Sequence, residues 1–206
     1  MRDGELPDDP RLVPGRTCGG CNVCCVVLTI DDPELQKVQG YRCAHAQRDN
    51  GCGIYENRPR TCRVFHCGWR SLKWVREPLR PDRSGVLVQL QGEISPTDGA
   101  KQLGVTFTLL NRAALKAEGL AESVAAAVAA GIPVFLAIPG PPGYTSARAK
   151  INAELEDAVG RKDKAGVLRI LQDLYRTGRS GERRRIVITP GADGDAARPT
   201  LAPDRP

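Results

Sequence analysis

Aromatic side chains are scarce in this 206-residue chain, with 3 Phe, 4 Tyr and 2 Trp, so a core has to be built mostly from Val, Leu, Ile and Ala. Long apolar runs are missing too. The two longest, residues 124–130 and 132–138, are separated by Gly131 and interrupted by Pro133, and both are too short to span a membrane. The opening MRDGELPDDPRLVPGRT holds no apolar stretch and does not read as a secretory signal. The expected compartment is therefore the reducing cytoplasm, where thiols stay free or bind metal. No GxGxxG, Walker-type loop or HExxH occurs, which leaves no motif for a dinucleotide, a nucleoside triphosphate or a zinc-protease site. There is no internal repeat.

Cysteine and histidine are absent from every position outside residues 18–67. That window holds all 8 cysteines, Cys18, Cys21, Cys24, Cys25, Cys43, Cys52, Cys62 and Cys67, and both histidines, His45 and His66. Ligand-type residues so concentrated form either a metal site or a disulfide framework, and a reducing compartment favours metal. Thiolates in CxxC spacing reach one centre from a single turn, whether zinc or an iron–sulfur cluster. Four ligands complete one such site, so ten donors leave a surplus: two zincs would use most of them, one cluster about half.

The local pattern around these residues predicts how they come together. In CGGCNVCC, Gly19 and Gly20 permit a tight turn, and a helical turn from Cys21 would put Cys21, Cys24 and Cys25 near one face. Residues 26–30 read as a short strand or helix end. Asp31-Asp32-Pro33-Glu34 predicts a helix start, running to about Gln39 and stopping at Gly40. Residues 41–55 predict a hairpin turning at Asp49-Asn50-Gly51, which brings Cys43 and His45 near Cys52. Asn57-Arg58-Pro59 predicts a second helix with Pro59 at its first position, continuing through Trp69, Leu72 and Trp74 to Glu77. On it Cys62 and His66 share a face, with Cys67 further around. Arg58 is placed to hydrogen-bond carbonyls or thiolates, and Tyr55 to pack. His66 is a candidate ligand or a donor behind one, and His45 a weaker candidate.

Beyond residue 83 the character changes. Val86, Val88 and Leu90 alternate as a strand, 105–110 forms a second, and a loop with Pro96 and Gly99 joins them. Leu120, Val124 and Val128 mark a helix ending at Gly131. A strand follows at 132–138, then helices over 147–159 and 163–176 and a last strand at 185–189. Gly140-Pro141-Pro142-Gly143 reads as a turn, because its prolines remove the backbone donors a phosphate cradle needs. Glu154, Glu156 and Asp157 read as a solvated helix face. The expected class is α+β: an arm at 1–17, a small metal-stapled Cys-rich module at 18–80, a small mixed α/β layer at 84–189, and a disordered tail at 190–206.

The net charge is +6, with Arg58, Arg60, Arg63, Arg70, Lys73, Arg76, Arg80 and Arg83 crowded after the cysteines. Arginines beside thiolates offset the charge of a metal centre. The alternative is an Arg-rich helix over 59–77 on a zinc-stapled module, docking nucleic acid or an acidic protein. No base-reading motif accompanies the charge, so nucleic acid is the second choice. Cys62 with His66 could be read as nucleophile and base, but metal competes for that thiolate and no substrate site is visible.

CGGCNVCC, the spaced Cys43, and the segment from Cys52 through Ile54, Tyr55, Arg58, Pro59 and Cys62 to Arg63 resemble the CxxCxxCC cysteine-cluster (YkgJ-type) family, a zinc- or iron-chelating domain. The resemblance covers about residues 17–68. It implies ligands among Cys18, Cys21, Cys24, Cys25, Cys43, Cys52 and Cys62, while Cys67, His45 and His66 have no place on the motif. A related arrangement occurs in flagellin lysine methylases, but no methyl-donor site accompanies it here. The expected function is metal binding, by zinc or by iron as ions or an iron–sulfur cluster, serving redox, metal handling or maturation of a protein partner.

Overall fold

The structure, a computed structural model, describes residues 10–47, 51–94, 99–189 and 198–202. The Asp49-Asn50 part of the expected turn, Pro96, and most of the terminal arm and tail lie outside the described residues. In chain order the elements are α1 (Cys24–Val27), β1 (Ile30–Asp32), β2 (Leu35–Lys37), α2 (Arg60–Val64), α3 (Gly68–Ser71), α4 (Pro81–Ser84), β3 (Val86–Ile94), β4 (Lys101–Leu109), α5 (Leu120–Ala129), β5 (Val134–Ile138), β6 (Ala147–Lys150), α6 (Asn152–Gly160), α7 (Lys164–Gly178), β7 (Ile186–Thr189) and β8 (Arg198–Leu201). Short 3-10 turns lie at Tyr55–Asn57, Glu77–Leu79 and Arg112–Lys116. The class is α+β, as expected. Among the described residues no helix is long and apolar enough to cross a membrane.

The chain divides into two compact units. One, the cysteine unit, comprises Met1–His66, Gly140–Thr145 and Arg183–Pro206; the other, the α/β unit, comprises Cys67–Pro139 and Ser146–Glu182. The boundary thus falls at His66 and Cys67 and not near residue 83. Burial explains the difference: Trp69, Val75 and Leu79 are part of the α/β core, so residues 67–83 belong to that unit.

The α/β unit holds a four-stranded sheet in the order β3-β4-β5-β6. Its β3–β4 and β5–β6 pairs are antiparallel, and β4–β5 is parallel. A parallel neighbour needs a crossover, which the segment carrying α5 supplies. The apolar stripe of α5 (Leu120, Val124), Leu155 of α6, and Val167 and Leu171 of α7 share one core with Val86, Val88, Val105, Phe107, Val134 and Leu136 of the sheet. The α7 start is fixed by Asp163, whose side chain accepts from Gly166 N at 2.8 Å. The β3–β4 hairpin outruns this core: Leu90, Ile94 and Leu103 are exposed.

Two expectations for elements beyond residue 83 are corrected. Residues 147–150 form an edge strand paired with β5 instead of the first turn of a helix. Arg148 lies over the Phe135 ring at 3.5 Å and pairs with Glu93, while Asn152 ties the α6 start to β5 by accepting from Val134 N at 2.7 Å. The second correction concerns the tail, where residues 198–201 pair antiparallel with β7. Leu90 continues the alternation of β3, as expected.

Candidate metal centre

The cysteine unit is built from short pieces, and each places one or two thiols. Gly19 takes a φ of 48°, and Cys21 N donates to Cys18 O at 2.8 Å, closing the tight turn that the two glycines allow. One helical turn follows, with Cys24 and Cys25 in α1. Asn22 Nδ2 then reaches Gln47 O at 2.6 Å, tying this turn to the next loop.

The expected helix after Asp31 is instead the β1–β2 hairpin, with Ile30 opposite Lys37 and Asp32 opposite Leu35. Asp32 Oδ1 accepts from Glu34 N at 3.0 Å, a side-chain turn of the kind Asp favours. Pro33 suits that turn as well as it suits a helix start. Lys37, at the hairpin's far end, is buried at 7% exposure. Its ammonium donates to Val26 O at 3.1 Å, to Val38 O at 3.3 Å and to Leu28 O, and so takes up carbonyls at the end of α1.

Cys43 is buried and its N donates to Cys25 O at 2.8 Å. The segments at 43–47 and 51–53 lie side by side: Ala46 bridges Cys52, and Gly53 N donates to His45 O at 2.8 Å. Gly51, with a φ of 70°, packs so closely that a Cβ there would lie 2.4 Å from Gly19 O. Arg58 Nε donates to Tyr55 O at 2.9 Å while its guanidinium stacks on the Tyr55 ring at 3.7 Å.

Cys62 sits on α2, whose Thr61 N donates to Asp32 Oδ2 at 3.1 Å. Pro59 precedes the first helical residue instead of occupying it. The single helix expected over 59–77 does not form. It stops at Val64, because Phe65 turns extended (φ −80°, ψ 120°), and α3 starts only at Gly68. Cys62 and His66 therefore do not share a helix face. The Arg-rich helix is lost with it, and Arg70 is buried in the α/β unit. A buried guanidinium offers nothing to an external phosphate.

The thiols act on one another. Cys24 donates to Cys25, which with burial pushes the Cys24 thiol far up; the same bond lowers Cys25, helped by the positive charges of Lys37, Arg58 and Arg42. Burial raises Cys52, and Cys25 and Cys43 add to the rise while Arg58 opposes it. Cys62 is raised by burial and then by Cys25 and Cys43, again against Arg58. Cys18 and Cys21 add to the rise at Cys24.

None of the eight cysteines is joined in a disulfide. Eight of the nine predicted metal residues, Cys18, Cys21, Cys24, Cys25, Cys43, Cys52, Cys62 and, at its edge, His66, lie in the cysteine unit; Cys67 falls in the α/β unit and packs against that core. Among the described residues no three His, Cys, Asp or Glu side chains stand together closely enough to hold an ion as placed. The donor chemistry nonetheless fits zinc or iron: soft sulfur ligands, within electrostatic reach of one another, with cations beside them. Sequence reasoning missed Lys37, Asp32 and the strap formed by Gly140–Thr145, whose Gly143 N donates to Gln39 O at 2.9 Å and whose Gly143 O accepts from Ile186 N at 2.7 Å. Proline and glycine richness was the strap's one signal. No protein-family model, curated protein or solved structure matches this chain.

Proposed function

We propose that the cysteine unit is a metal-binding module that chelates zinc or iron, the latter as an ion or an iron–sulfur cluster, and serves redox, metal handling or maturation of another protein. One observation carries this reading: thiols from four separate segments are drawn together, with Cys43 N donating to Cys25 O, Ala46 bridging Cys52, and Cys25 and Cys43 acting on both Cys52 and Cys62 while Arg58 opposes them. Small pieces of chain with little apolar core gather thiols in this way when a metal supplies the missing stability. The resemblance to the CxxCxxCC family supports the same assignment. Bound metal would draw these thiols together by rotating side chains carried on short, hydrogen-bonded turns.

The test is metal analysis of full-length chain isolated without oxygen or chelator, with its visible spectrum. Stoichiometric zinc without colour, or iron with a broad visible band, supports the reading and identifies the metal. Protein isolated free of both, which also takes up neither zinc nor iron on anaerobic titration, overturns it.

A further inference from the structure

We propose that two copies of this chain associate through the edge strand β3. Residues 90–94 pair antiparallel with the same segment of a second copy, Gly92 opposite Gly92.

The sheet order puts β3 at an edge, with β4 on its inner side. The ladder shows which backbone groups face outward. Leu110 N donates to Gly85 O at 2.9 Å, and the register sets Val86 opposite Leu109, so Gly85 and Leu110 are a hydrogen-bonded pair. Such pairs alternate along an antiparallel ladder. Leu87, Gln89, Gln91 and Glu93 therefore bond to β4, while Val88, Leu90, Gly92 and Ile94 turn their N–H and C=O away from it. Other bonds agree: Val105 N of β4 points away from β3, to Pro133 O at 2.8 Å, and Val86 N points outward, to Ser84 Oγ at 3.1 Å.

The same stretch carries apolar surface. Among the described residues of the α/β unit, the large apolar side chains left exposed are Leu90, Ile94 and Leu103. They share one face of the β3–β4 hairpin, because Leu90 stands opposite Val105, Gly92 opposite Leu103 and Ile94 opposite Lys101. An edge with outward backbone groups and an apolar face is a template for another strand.

Complementarity identifies that strand as a second copy. A two-fold axis brings the same surface from each copy together. With Gly92 on the axis, Leu90 of each copy stands opposite Ile94 of the other, and Gln91 opposite Glu93. Apolar meets apolar on one face, amide meets carboxylate on the other, and no like charges are opposed. Outward-facing residues also meet outward-facing residues, as the hydrogen-bond ladder requires. A Cβ at Gly92 would meet open space, which leaves room for Leu103 of each copy to lean toward the axis. Centring the pair on Gln91 would instead set Leu90 against a residue with no side chain. The contact is short and belongs with the smaller interfaces, so the association depends on concentration.

Sedimentation velocity and residue-resolved amide exchange on the full-length chain, at rising concentration and under a reductant that prevents disulfide links between copies, test this. A monomer–dimer equilibrium is expected. As concentration rises, exchange should slow at Leu90, Gly92 and Ile94 and stay constant at Gln91 and Glu93, which already bond to β4. Leu90→Lys should raise the dimer Kd by about 10-fold or more, because symmetry spoils the cross-strand pair twice. Combining Leu90→Lys with Ile94→Glu places opposite charges across the axis and should recover association, whereas Leu90→Lys with Ile94→Lys should not. A chain that stays monomeric at every concentration overturns the proposal. So does a dimer indifferent to Leu90→Lys, or one in which odd and even amides slow alike. Failure of the opposite-charge pair to restore association overturns the register with Gly92 on the axis.

Discussion

Asp32 caps the helix that carries Cys62 from 29 positions away: its Oδ2 accepts from Thr61 N at 3.1 Å while its Oδ1 accepts from Glu34 N at 3.0 Å. One carboxylate thus closes the β1–β2 turn and orients α2, so that a residue outside the cysteine motif positions one of its thiols.

The pH dependence of that tie has a definite sign. The amide of Thr61, then that of Glu34, holds the Asp32 carboxyl below its usual range. Its contribution to stability is present in full above the unfolded value of about 3.9 and is lost as pH falls through the lower folded value. Denaturant midpoints recorded between neutral pH and pH 2 should fall by a larger increment in wild type than in Asp32→Ala. Parallel curves for the two proteins would mean that the carboxylate is not what holds α2.

Metal removal should act on one unit. If thiol ligands staple the cysteine unit, chelator treatment removes folding free energy there and little from the α/β core. Amide exchange measured before and after chelation should rise at Cys43, Ala46 and Cys62 and stay unchanged at Phe107, Leu136 and Leu171. Exchange that is uniform before and after chelation runs against metal as the source of local stability.

Asp163→Ala removes the side chain that accepts from Gly166 N at the start of α7. Loss of such a cap costs about 1 kcal/mol, readable as a lower urea midpoint at unchanged slope. Asp163→Asn, which keeps an acceptor, should retain most of that stability.

Gly68→Val tests the packing that assigns residues 67–83 to the α/β unit. A Cβ at Gly68 would lie 2.6 Å from Val88 Cγ1, and overpacking of this kind costs about 1–3 kcal/mol. Thermal unfolding followed at the tryptophans should show the loss. A neutral result would mean that α3 is not held against β3.

Leu120, Val124, Val167 and Leu171 could be read from periodicity because each helix buries one stripe and nothing local competes with that pattern. Asp32-Pro33-Glu34 was misleading for a physical reason. A side-chain acceptor followed by Pro serves a helix start and a tight turn equally, and the three-residue strands flanking it are too short to show alternation. Phe65 is similar: the sequence around it keeps helical character, and the break at Val64 comes where the chain passes from one unit to the other.

By itself the sequence determined the donor chemistry, because every Cys and His falls in one window and no motif for another chemistry is present. It also determined the α+β class, since apolar periods of two and near four alternate along the chain. Tertiary structure alone decided that Cys43 is tied to Cys25, that Lys37 is buried on the carbonyls of Val26, Leu28 and Val38, and that Arg70 is buried in the α/β unit. Those facts depend on hydrogen bonds and packing between positions far apart in the chain, such as Asp32 with Thr61, and no local pattern encodes such pairings.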